Sequence, residues 1–148
     1  MARIEEERID FLNWKDTISC SGNPLYGDTV WNVVMDGPLD SPYMGGKFNI
    51  RIKFPDNYPN ECPVFEFLTP ICHININGTH ICLGSLTYYN PSYSIVQILT
   101  QIFMMLTSPN EHDAYNTDYK ILYLNNYSEY LAKAREMTRD YAILKNNI

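Results

Sequence analysis

Cys72, His73, His80 and Cys82 bring two thiols and two imidazoles into one short stretch of chain. These are the ligand types zinc prefers. Their spacing suits it poorly, because Cys72 and His73 are adjacent and the sequence has no C-x-x-C pair, so no metal is expected. The other chemistry is nucleophilic. Cys82 lies between Gly78 and Gly84, which suits close approach of a substrate backbone. A thiol of ordinary pKa near 8.5 is only about 3% thiolate at pH 7, so it needs activation. No Lys or Arg occurs between Lys53 and Lys120, which leaves the histidines as local candidates. A buried structural cysteine is the alternative reading of Cys82, and the residues alone leave both open. Asn75 offers an oxyanion donor, and Asp113 an acid or a group that orients an amine. The same residue types also cap turns and helices. The acids Glu61, Glu66, Glu111, Asp113 and Asp118 would favour a cationic amine near Cys82 and disfavour phosphate.

The rest of the chain must position these groups. Its 148 residues, 45% of them hydrophobic, fit one α+β domain over 1–148 with a sizeable core. A formal charge of −6 argues against a nucleic-acid binder. No apolar run approaches the roughly 20 residues that span a bilayer, and the charged start from Met1 to Asp10 does not read as a secretory signal. Reduced thiols at Cys20, Cys62, Cys72 and Cys82, in a cytoplasmic or nuclear protein, are therefore expected.

Ile4, Ile9, Phe11 and Leu12 among Glu and Arg predict an amphipathic helix ending near Asp16. Ser21-Gly22-Asn23-Pro24 reads as a turn with a short strand after it, and Val30 to Met35 as a further strand. From Lys47 to Phe54 alternation is complete, with Phe48, Ile50, Ile52 and Phe54 on one face: a half-buried antiparallel strand. Val64 to Leu68 supplies one more strand after a loop from Pro55 to Pro63. Pro70 to Pro91 has no period of either kind, and long irregular segments of this sort are often functional. Helical spacing returns in Ile95, Ile98, Leu99, Ile102, Phe103 and Leu106, closed by Ser108-Pro109-Asn110, and again from Tyr127 to about Leu144.

In this order the motifs resemble the ubiquitin-conjugating enzymes over essentially the whole chain. The run from Gly37 to Phe48 is similar to that family's turn between its second and third strands, and Phe54-Pro55-Asp56-Asn57-Tyr58-Pro59 with Pro63 to its proline-rich loop. His73-Ile74-Asn75 resembles the family's His-Pro-Asn tripeptide, and Ile81-Cys82-Leu83 its catalytic cysteine motif. Pro91 before Ile95, Leu106 to Asn110 with Asp113, and Ala134 to Ala142 fit the family's later helices. The resemblance implies an N-terminal helix, a four-stranded antiparallel meander and C-terminal helices.

It also implies two acyl transfers, with Cys82 taking ubiquitin or a ubiquitin-like protein as a thioester from an activating enzyme and passing it to a lysine amine. Asn75 would steady the active-site loop and the oxyanion, Asp113 would orient the incoming lysine, and His73 would be structural. No cofactor, nucleic acid or membrane is implied. A docking module of the same fold, without catalysis, is the alternative. Ligases of the family contact two loops, here at Asn60 and at Asn90-Pro91-Ser92, where this chain departs from the usual large apolar residue and from Ser-Pro-Ala. Ile74 replaces the usual proline, and Tyr89 the usual tryptophan. The first helix, which in the family docks on the activating enzyme, holds Arg3, Arg8 and Lys15 against Glu5, Glu6, Glu7, Asp10 and Asp16. Three bases against five acids give −2, which predicts a weakened attraction for an acidic groove.

Overall fold

The computed structural model describes residues 2–143, except for the side chain of Asp113. The expected end of the last helix near Leu144 lies outside the described residues. Helix α1 (Ala2–Trp14) buries Ile4, Glu7 and Phe11. Strands β1 (Cys20–Ser21), β2 (Val30–Asp36), β3 (Lys47–Lys53) and β4 (Val64–Phe67) follow in an antiparallel meander. The short strand expected after the Ser21-Gly22 turn lies before it instead. Cys20 pairs with Met35 there, while 22–29 carry no strand.

The register of β2 on β3 places Trp31 opposite Ile52, Val33 opposite Ile50 and Met35 opposite Phe48. All six side chains are buried, so alternation in each strand delivers one apolar face. Helix α3 (Ile95–Thr107) contributes Ile95, Ile98, Leu99 and Ile102 to the same core. Ser94 and Gln97 start it with a reciprocal capping box, which satisfies orphan donors of the first turn. The turn after β2 needs glycine at Gly37. A Cβ there would sit 1.8 Å from the Tyr43 carbonyl oxygen, and the Gly37 amide donates to Gly46 O at 2.9 Å.

The irregular stretch is not wholly irregular. It forms an edge hairpin, β5 (Ile76–Asn77) and β6 (His80–Ile81), and β6 joins β4 to complete a six-stranded sheet. Two-residue strands are too short to show a period, although Asn77-Gly78 is a turn signal, and Gly78 adopts φ +61° there. One short helix, α2 (Gly84–Thr87), follows. Helix α4 (Thr117–Asn125) left no trace in the sequence pattern because none of its residues is buried. Helix α5 (Tyr127–Tyr141) buries Tyr130, Ala134 and Thr138.

Candidate active site

The hairpin positions Cys82. Ile76 pairs with Ile81 and Asn77 with His80, and the ladder continues as the Cys82 amide donates to Asn75 O at 2.8 Å. Side chains alternate along it: Ile81 is buried, while His80 and Cys82 lie on the outer face. Cys82 is half-buried there. Beside it a cleft of about 430 Å³ runs between Leu83-Gly84 and the C-terminal half of α3, reaching Met104, Ser108 and Asn110.

His73 and Asn75 build the floor. The His73 ring is fully buried; its Nε2–H donates to Met105 O at 2.8 Å and its Nδ1 accepts the Asn75 amide at 3.0 Å. Both ring nitrogens are thereby occupied and the tautomer is fixed. Burial pushes the imidazole down to about 4, so it is neutral near pH 7. Ile74, at the position of the expected proline, is also fully buried, and its carbonyl accepts the amides of both Tyr115 and Asn116 at 2.9 Å. Hydrogen bonds of the His73 ring and of the Ile74 carbonyl hold this turn.

Asn75 is fully buried and spans two segments. Its Nδ2 donates to Asn110 O at 2.8 Å, and its Oδ1 accepts the Asn110 amide at 2.9 Å. Asn110 in turn accepts the His112 amide on its own Oδ1, which caps the 3-10 turn Glu111–Asp113. The backbone of Asp113 thus lies in the loop that Asn75 clamps, while its side chain is outside the described residues. Asn110 meets Asn75, and Ile74 meets Tyr115 and Asn116, through backbone groups, so residue type gave no signal for these contacts.

Two of the other cysteines are buried. Burial pushes the Cys20 and Cys72 thiols up to about 12. Cys62 is half-buried, its thiol against Pro63 O at 3.2 Å, and desolvation raises its pKa as well. All four are free. Among the described residues no group of three or more His, Cys, Asp or Glu could hold a metal ion, and no helix is long and apolar enough to cross a membrane.

Asn60, Pro91 and Ser92 are exposed on two loops that Tyr89 ties together, its hydroxyl donating to Pro59 O at 2.7 Å. Asn90 Oδ1 accepts from both the amide and the hydroxyl of Ser92. Arg3 of α1 donates to Tyr93 O at 3.1 Å and lies over the Tyr58 ring. The acidic run of α1 is less uniform than its sequence suggests. Glu7 is buried, accepting the Ile95 amide at 2.8 Å and pairing with Arg3, and Glu5 is taken by Arg8 and the Gly27 amide. Of the three consecutive glutamates only Glu6 is exposed.

The site is thus a meander flanked by helices, with a buried His-Ile-Asn turn beside Cys82. Residues 4–138 match the ubiquitin-conjugating enzyme family, and the chain belongs to it. Among solved structures, the E2 domain of a Toxoplasma gondii ubiquitin conjugating enzyme superposes with a TM-score of 0.82 at 28% identity, covering 95% of this chain and 99% of that one.

Proposed function

We propose that Cys82 is the acceptor of ubiquitin, or of a ubiquitin-like protein, in two successive transfers. Its thiolate attacks the thioester carbonyl presented by an activating enzyme and expels that enzyme's thiolate. A lysine amine then attacks the Cys82 thioester, an isopeptide bond forms, the Cys82 thiolate leaves and the amine gives up a proton. The observation that carries this reading is the placing of a half-exposed Cys82 on the Asn75 ladder, beside an open cleft. Cys20 and Cys72 are buried, which disfavours their thiolates.

Asn75 serves by holding the Asn110–Asp113 loop and by stabilising the oxyanion. Asp113 orients the attacking lysine, and His73, neutral and fully bonded, is structural. Helix α1 meets the activating enzyme, and the loops of Asn60 and Pro91-Ser92 meet a ligase. The protein works on the single domain 1–148, in the reducing cytoplasm or nucleus, with no cofactor of its own.

The test is a mobility shift with activating enzyme, ATP and modifier. A thiol-reversible adduct is expected for the wild type and for Cys20→Ala, Cys62→Ala and Cys72→Ala. Cys82→Ser should give an adduct that survives thiol, since an oxyester resists thiol exchange. Absence of any adduct, with ubiquitin and with ubiquitin-like modifiers, would overturn the enzyme reading in favour of a docking module.

A further inference from the structure

A pair of exposed rings sits beside the proposed nucleophile and has no part in the transfers described above. The His80 and Tyr115 rings lie tilted against each other, with centroids 4.8 Å apart and planes at 38°. His80 is two residues before Cys82 on the same outer face, so their Cα atoms are separated by about 6.6 Å of strand. Tyr115 is two residues beyond Asp113. Its backbone is pinned where it stands, because the Tyr115 and Asn116 amides share Ile74 O and Asn116 Nδ2 reaches Ile76 O at 3.4 Å. The rings thus stand at the junction of the nucleophile's strand and the loop that carries Asp113. Tyr115 is 50% exposed despite this contact, which leaves the side of its ring turned from His80 to solvent. Its chain neighbourhood is acidic: Glu111 and Asp118 are exposed, and no Lys or Arg occurs between Lys53 and Lys120.

We propose that the His80–Tyr115 pair is a specificity platform, which seats an arginine or lysine side chain flanking the acceptor lysine of the substrate. An acceptor chain that offers its lysine to Cys82 from the side of the His80 strand passes over this pair. A guanidinium or ammonium laid on the open face of Tyr115 gains the attraction of the ring quadrupole, and the surrounding carboxylates reinforce it. A glutamate in the same place would meet those carboxylates with like charge. An uncharged small residue would gain nothing.

Two measurements test this. In the first, the ring-proton resonances of Tyr115 and His80 are followed as the uncharged enzyme is titrated with short peptides holding one lysine flanked by Arg, Ala, Phe or Glu. The Arg peptide should shift both rings at the lowest concentration. No thioester is involved, so failure of Cys82 to charge would refute the transfer reading without touching this one. In the second, which rests on that reading, discharge of the preformed thioester is timed against the same peptides. The Arg peptide should be preferred over the Ala peptide by about two- to fivefold in apparent KM, the yield of an exposed cation–π contact. Tyr115→Ala should erase that preference, Tyr115→Phe should keep it, and discharge to free lysine should be unchanged in both. Rings that respond equally to all peptides, a preference for the Phe peptide, or a preference that survives Tyr115→Ala would overturn the proposal.

Discussion

The strands β2 and β3 bury one face each and the segment from Ile71 to Cys82 buries most of its side chains, yet different forces hold them. In the strands the backbone pairs with itself and the side chains only pack, as Trp31, Val33, Phe48 and Ile50 do. In the segment side chains add to the backbone pairing of the β5–β6 ladder. His73 bonds Met105 O and the Asn75 amide, Asn75 takes both backbone groups of Asn110, and Tyr43 donates its hydroxyl to Cys72 O at 2.6 Å. The difference teaches that the sheet can be weakened without losing the site's geometry, and that the geometry can be lost without melting the sheet.

The largest effect belongs to the sheet. Phe48→Ala removes a fully buried ring that contacts Tyr43 and Phe67, and should cost about 3–5 kcal/mol in urea unfolding. Charging per folded molecule should stay close to wild type, and a charging loss larger than the folded fraction explains would merge the two regions into one. Asn75→Ala acts in the opposite sense. Discharge to lysine should fall by about 100-fold, roughly 3 kcal/mol in the barrier, while stability falls by only about 1–3 kcal/mol. Amide exchange at Asn110 and His112 should quicken at the same time. Asn75→Asp retains the acceptor for the Asn110 amide but loses the donor to Asn110 O, so it should rescue that protection in part. Slow discharge with unaltered exchange would assign Asn75 to the oxyanion alone.

A smaller effect should come from acid. The folded His73 binds its proton near pH 4, whereas an unfolded histidine binds it near 6.5, so the unfolded state holds more protons between those values. This contribution to stability therefore falls as pH drops through that window, by roughly 2 kcal/mol between pH 7 and pH 5. The His73 ring resonance should accordingly not titrate between pH 8 and 5, and a midpoint near 6.5 would show the floor of the site to be open to water. The smallest effect lies on α1. Glu6→Lys reverses the one exposed charge of the glutamate run and should speed charging by about two- to threefold at low salt, with the gain fading as salt is added. Glu7→Lys should instead destabilise the fold, since it would bury a cation against the Ile95 amide and Arg3.

Periodicity carried what packing alone controls. The alternation of Phe48, Ile50 and Ile52 and the stripe from Ile95 to Leu106 are legible because each residue answers to one apolar layer, and such a layer repeats every two residues in a strand or every three to four in a helix. Helix α4 has no fully buried residue to imprint a period, and β5 and β6, at two residues each, span only one. The order of motifs, Gly37 to Phe48, then His73-Ile74-Asn75, then Cys82, was enough to reach the family. What the sequence could not decide was which groups meet. That Asn75 is bonded to Asn110, 35 residues away, that Ile74 O anchors Tyr115 and Asn116, and that Glu7 is spent on the start of α3 all depend on backbone groups brought together by the fold. Backbone amides and carbonyls are the same at every residue but proline, so sequence leaves no mark on them, and only tertiary structure selects their partners.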